Sequence, residues 1–165
     1  MNIRIAGITN DSIVDGPGLR LTVFTQGCPH HCPGCHNPQS HDFQGGEVRS
    51  TESIIDIARD NFLLDGVTLS GGEPFAQAEA CAEIAKEAHA LGLNVWCYSG
   101  YTLERLLHGE PAWLNLLQNI DVLVDGPFIL ELRTLDAKFR GSSNQRVIDV
   151  PSSLKSGSVV LSSYN

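Results

Sequence analysis

Short β-rich runs alternate with helical patterns along most of the chain, and this alternation narrows the choice of fold more than any other feature. Leu19-Arg20-Leu21-Thr22-Val23-Phe24 reads as a strand, Thr51 to Asp60 as a helix and Val67 to Ser70 as a second strand. A longer helix is expected from Pro74, which suits a first turn, through Ala78, Cys81, Ala82, Ala85 and Ala88 at helical spacing to a stop at Gly92. Asn94 to Tyr98 follows as a strand, with helical segments at 102–107 and 112–119 and strands at 121–124 and 146–150. Val159 to Leu161 is a candidate last strand. Such a succession predicts an α/β fold with a mainly parallel sheet covered by helices. A complete eight-unit barrel takes about 250 residues. The 165 residues here contain no linker or repeat, and predict one domain over 1–165. Its architecture is expected to be a partial (β/α) barrel or an open sheet, with strand ends accessible to a macromolecule.

Charge and cysteine usage narrow the function. The formal net charge is −8 with only 11 Lys and Arg, which disfavours a nucleic acid or an anionic membrane as partner. No stretch approaches the roughly 20 apolar residues of a membrane span, and Met1-Asn2-Ile3-Arg4 leads into patterned sequence without a signal-peptide core, so a cytoplasmic location is expected. The five cysteines are odd in number. Three crowd into eight residues while Cys81 and Cys97 lie apart, a distribution that suits a metal or redox site better than a disulfide framework. Cys81, on the apolar stripe of a helix, and Cys97, in a strand, read as small core residues.

The cluster Cys28-Pro29-His30-His31-Cys32-Pro33-Gly34-Cys35 has CxxxCxxC spacing in a loop after the strand ending near Phe24. Proline and glycine favour a turning chain there, so three thiolates can converge on one centre. Thiolate ligation suits iron–sulfur or zinc. A structural zinc site recruiting His30, His31 or His36 is one reading. A redox pair in Cys32-Pro33-Gly34-Cys35 is another, but leaves Cys28 without a role. A zinc deaminase lacks its His-x-Glu. The remaining reading is a 4Fe-4S cluster with three protein ligands, which leaves one iron free to bind another molecule. The second motif, Gly71-Gly72-Glu73-Pro74, joins a strand to a helix. It reads as a tight turn with Glu73 solvated, or as a place where a ligand approaches the backbone and a cationic amino group finds acceptors.

CxxxCxxC followed one strand later by Gly-Gly-Glu-Pro resembles the radical S-adenosylmethionine superfamily. The resemblance implies that Cys28, Cys32 and Cys35 ligate a 4Fe-4S cluster. It further implies that the amino and carboxylate groups of S-adenosyl-L-methionine bind the open iron and that Gly71, Gly72 and Glu73 accept its amino group beside Pro74. Many members carry an aromatic residue just before the third cysteine, where this chain has Gly34, so stacking on the adenine must come from elsewhere.

More of the chain, from about residue 3 to 150, resembles one branch of that superfamily. The matching stretches are Ser12-Ile13-Val14-Asp15-Gly16-Pro17-Gly18-Leu19-Arg20, Cys35-His36-Asn37-Pro38, Ser99-Gly100-Tyr101, Asp125-Gly126-Pro127-Phe128 and Arg140-Gly141-Ser142-Ser143-Asn144-Gln145-Arg146. These are similar to the activases of glycyl-radical enzymes, and the last two point to those serving anaerobic ribonucleoside-triphosphate reductases. The branch implies that Asn37, Ser99 and Asp125 are cofactor-binding, the last with a cation site in question because Tyr98 and Ser99 stand where a neighbouring acid is found in other activases. Arg140 and Arg146 are either surface charges or contacts to the cofactor carboxylate or an acidic partner. The implied activity is reductive cleavage of S-adenosylmethionine, with an electron from a donor such as a flavodoxin. The resulting 5′-deoxyadenosyl radical takes a hydrogen atom from a glycine of the reductase. Another glycyl-radical enzyme or a small molecule as substrate, and a non-catalytic zinc-binding interaction domain, are the alternatives.

Overall fold

The computed structural model describes residues 1–165. Strand β1 (Asn2–Ser12) is followed by β2 (Arg20–Thr25), the cysteine-bearing loop, β3 (Glu47–Ser50) and helix α1 (Thr51–Asp60). Then come β4 (Gly66–Gly71), α2 (Ala78–Ala90), β5 (Asn94–Tyr98), α3 (Leu103–Leu107), α4 (Pro111–Leu117) and β6 (Val122–Asp125). The chain ends with β7 (Arg146–Asp149) and α5 (Val150–Ser156).

All seven strands form one sheet in the order β3-β1-β2-β4-β5-β6-β7. The centre, β2-β4-β5-β6, is parallel, whereas β1 runs antiparallel to both its neighbours and β7 antiparallel to β6. The outer strands β3 and β7 do not pair with each other, so the sheet is open and mostly parallel. In register, Thr25 lies beside Gly71, Leu69 beside Cys97 and Tyr98 beside Val124. The four parallel strands therefore end along one edge, and the loops leaving them meet there.

Side chains alternate across each strand. Leu21, Val23, Val67, Leu69, Val95, Cys97 and Leu123 face the helices and join Ile54, Ile84, Leu106 and Leu116 in a cluster of 29 buried residues. Thr22, Thr68, Trp96 and Val124 point to the opposite face and are buried as well, because irregular segments cover it. There Arg20, fully buried, donates to Thr68 Oγ1, Val67 O, Asn94 Oδ1 and Pro17 O. Burial lowers its pKa to about 10, so it remains charged at neutral pH.

Local signals explain most boundaries. Ser50 caps α1 by accepting from Ser53 N at 3.1 Å, and Ile54, Ile55 and Ala58 form the buried stripe. Helix α2 buries Ala78, Ala80, Ala82, Ala85 and Ala88, small side chains that admit α1 and α4 closely on either side. The long helix differs from expectation at its start. Pro74 opens a 3-10 turn, Pro74–Gln77, capped by the Glu73 side chain at Phe75 N, and the α-helix begins at Ala78. The candidate strand at 159–161 contributes a single bridge, Ile148 to Leu161. Strands β1 and β3 and helix α5 lie outside the sequence expectations. Polar residues interrupt β1 and β3, and these strands are held by pairing with each other rather than by a strong pattern of their own.

Candidate functional site at the ends of the parallel strands

A cavity of about 340 Å³ opens at the edge where the parallel strands end. Its wall includes Cys28, Cys32 and Cys35 from the loop after β2, Ser70, Gly71 and Gly72 from the end of β4, Ser99 and Gly100 after β5, and Gly126 and Phe128 after β6.

The cysteine loop is pinned at its base. Gln26 is buried and donates to Gln39 O and Asp42 O, Gly27 N donates to Ser40 O at 2.7 Å, and Cys28 N to His41 O at 3.1 Å. Beyond Cys28 the chain is irregular, apart from a turn closed by Cys35 N on Cys32 O and a contact of Asn37 N to Cys35 Sγ at 3.4 Å. All three thiols are free. They line the same cavity, but as the loop stands no set of three His, Cys, Asp or Glu side chains is close enough to hold a metal ion. Burial pushes the Cys28 thiol above its ordinary pKa, and the charges of Glu73, Cys32 and Cys35 add to the rise against the His30 backbone N–H. A cationic centre would relieve that cost. Soft donors on an irregular loop suit an iron–sulfur cluster. Of the histidines nearby, His30 bonds Glu73, His31 packs on His41 and His36 on Phe128.

The Gly71-Gly72 turn is zipped onto the root of that loop. Gly72 N donates to Thr25 O and Glu73 N to Gly27 O, both at 2.8 Å. Gly71 has φ +96°, and a Cβ there would lie 2.5 Å from Thr25 N; one on Gly72 would lie 2.4 Å from Gly27 O. Glycine is required at both by neighbouring backbone, and the turn is left bare on the side that lines the cavity.

Asn37 and Ser99 stand on the cavity wall with Gly71 and Gly72, while Glu73, Pro74 and Asp125 are buried behind it. Glu73 is fully enclosed: it accepts from His30 Nε2 (2.6 Å), Gly100 N (2.8 Å) and Phe75 N (3.1 Å), and Ser99 Oγ stands 3.0 Å from both its oxygens. Asp125 accepts from Leu103 N and from Arg146, which also pairs with Glu104. Those two carboxylates push the Arg146 pKa further up. Asp125 is therefore committed to an internal ion pair. Residues on the wall without a signal of their own in the sequence include Phe24, His41 and Phe139, which only the fold brings to this edge. Cys81 and Cys97 are fully buried in the helical core, where burial pushes both thiols up.

The chain matches the model of the family described as "4Fe-4S single cluster domain" over residues 14–148. It is 35% identical over 144 residues to the anaerobic ribonucleoside-triphosphate reductase-activating protein of Escherichia coli K12, covering 82% of this chain and 91% of that one. The protein of the same name from Vibrio cholerae is 36% identical over 141 residues, covering 81% and 89%. That of Enterobacteria phage T4 is 29% identical over 140 residues, covering 81% and 86%. Among solved structures, QueE from Escherichia coli superposes with a TM-score of 0.51 at 15% identity, over 62% of this chain and 54% of that one, a likeness of fold.

Proposed function

The chain belongs to the 4Fe-4S single cluster domain family and, within it, to the anaerobic ribonucleoside-triphosphate reductase-activating proteins; from this premise we propose that it generates a glycyl radical on such a reductase. The observation that carries the proposal is the convergence of two motifs on one cavity. The three free thiols of the cysteine loop and the bare backbone of Gly71 and Gly72 share a wall, and hydrogen bonds between Thr25–Gly27 and Gly72–Glu73 hold their roots together.

In this reading Cys28, Cys32 and Cys35 hold a 4Fe-4S cluster, and S-adenosylmethionine lies against Gly71 and Gly72 with Asn37 and Ser99 beside it. The cofactors when bound supply one-electron cleavage of S-adenosylmethionine to methionine and 5′-deoxyadenosine, the hydrogen atom coming from a backbone glycine of the partner. The chain's own part is to bind and orient. Glu73 braces the cysteine loop through His30, the β5 end through Ser99 and Gly100, and the helix start through Phe75. The open sheet leaves the cavity mouth accessible to a loop of another protein. The net charge of −8 argues against a nucleic-acid partner, and a flavodoxin-like protein is the proposed electron donor.

The test is anaerobic mixing of reduced, cluster-loaded protein with S-adenosylmethionine and the reductase of the same organism. The expected result is an electron paramagnetic resonance doublet on the reductase that collapses when its glycine is α-deuterated, with stoichiometric 5′-deoxyadenosine. Cofactor cleavage without a radical on the reductase would sink the choice of partner. Alanine at Cys28, Cys32 or Cys35 is expected to abolish iron loading, whereas Cys81→Ala and Cys97→Ala retain it; the reverse pattern would overturn the ligand set.

A further inference from the structure

Arg140 is the one arginine or lysine on the cavity wall, and the protein does not satisfy its guanidinium. One nitrogen, Nη1, donates to Gln145 O at 3.2 Å, while Nε is buried without a partner. No carboxylate lies within ion-pairing distance of it. A buried N–H left without an acceptor costs about 1–3 kcal/mol, and such groups are few in native proteins.

Most polar groups around Arg140 are engaged elsewhere. Ser142 Oγ accepts from Ile129 N and Asn144 Nδ2 donates to Pro127 O, while Asn144 Oδ1 is buried without a hydrogen bond to Arg140 or to any other donor. Gln145 accepts from Gly141 N and Ser142 N and donates to Gly126 O, clamping the segment onto the end of β6. Arg146 is taken by Asp125 and Glu104. The residue before Arg140 sets its direction: Phe139 has φ +66°, a left-handed conformation that is costly for a bulky side chain. Its ring is anchored 5.1 Å from Trp96 and 6.0 Å from Tyr164, which fixes that strained turn in place. The fold thus holds a cation with unused donors over the cavity that also carries the thiols and the Gly71-Gly72 backbone. The only acid on the same wall, Asp15, already accepts from Ser12 Oγ at 2.6 Å and Thr22 Oγ1 at 3.1 Å.

We propose that Arg140 receives the carboxylate at the amino-acid end of S-adenosylmethionine, an inference that rests on the cofactor reading above. A planar guanidinium with several free N–H groups matches a carboxylate through paired, charge-assisted hydrogen bonds.

The experiment is equilibrium dialysis, under anaerobic conditions, of cluster-loaded protein against S-adenosylmethionine and against its decarboxylated analogue, with iron content measured for each preparation. Wild type is expected to bind the carboxylate-bearing compound about tenfold or more tightly than the analogue. Arg140→Gln should lose that preference by weakening S-adenosylmethionine alone, and Arg140→Lys should recover part of it. Equal affinity of wild type for the two compounds overturns the proposal even if Arg140→Gln fails to load iron. Loss of affinity for both compounds in Arg140→Gln overturns it in favour of a structural role, and unchanged discrimination in favour of an acidic group on the partner. Failure of wild type to bind either compound would instead remove the cofactor reading itself.

Discussion

The carboxylate of Glu73 sits where three loops meet, and both of its oxygens accept hydrogen bonds. Oε1 takes His30 from the cysteine loop and Gly100 from the end of β5, while Oε2 takes Phe75 from the turn before α2. With the group fully buried, replacing one oxygen by an amide NH2 sets donor against donor. Glu73→Gln is expected to cost about 3 kcal/mol of stability. For a domain of this size that is roughly 6–12 °C in Tm, to be read from thermal unfolding of the metal-free protein. A variant as stable as wild type whose S-adenosylmethionine affinity alone falls would identify Glu73 as a direct contact to the cofactor instead of a brace. Arg140 and Arg146 make the same point about neighbours in one motif: two acids neutralise Arg146 and leave Arg140 uncommitted.

Among the elements, the turn after β4 depends most on residue type. Gly71 and Gly92 both have positive φ, but a Cβ on Gly71 would meet the backbone of Thr25 and Phe24, whereas one on Gly92, at the end of α2, would meet nothing within 4 Å. Gly92→Ala pays only the conformational cost, about 1 kcal/mol. Gly71→Ala must in addition push β2 and β4 apart beside the cysteine loop, and is expected to cost upwards of about 3 kcal/mol. Chemical denaturation of both variants checks this; similar, small losses would mean that the turn can slide away from β2 and is not the joint between the two motifs.

On the scale of the whole molecule, the sheet separates two tasks. Helices cover one face with the main core, while the strand ends open a cavity whose rim includes exposed apolar side chains. Val14 lines the cavity and its neighbour Ile13 is 72% exposed. No helix is long and apolar enough to cross a membrane. If the rim receives a protein partner, Ile13→Asp should lower the yield of glycyl radical on the reductase while iron content and S-adenosylmethionine binding stay at wild-type levels. An unchanged radical yield would place the docking surface elsewhere.

Alternation of strand and helix signals was enough to read the parallel centre of the sheet, and the positions of the cysteines and of Gly71-Gly72 just after strands put both motifs on one edge. Such features are local, since periodicity, caps and turn residues act over a few positions. The antiparallel strands β1 and β3 were not legible, because their stability comes from pairing with each other and with β2 rather than from their own composition. Nor could sequence separate the wall of the site from its backing. Glu73 meets partners 43, 26 and 27 residues away, and Asp125 one 21 residues away. Whether a charged side chain faces a cavity or is consumed behind it is decided by such long-range hydrogen bonds, which form only once the sheet has brought its strand ends together.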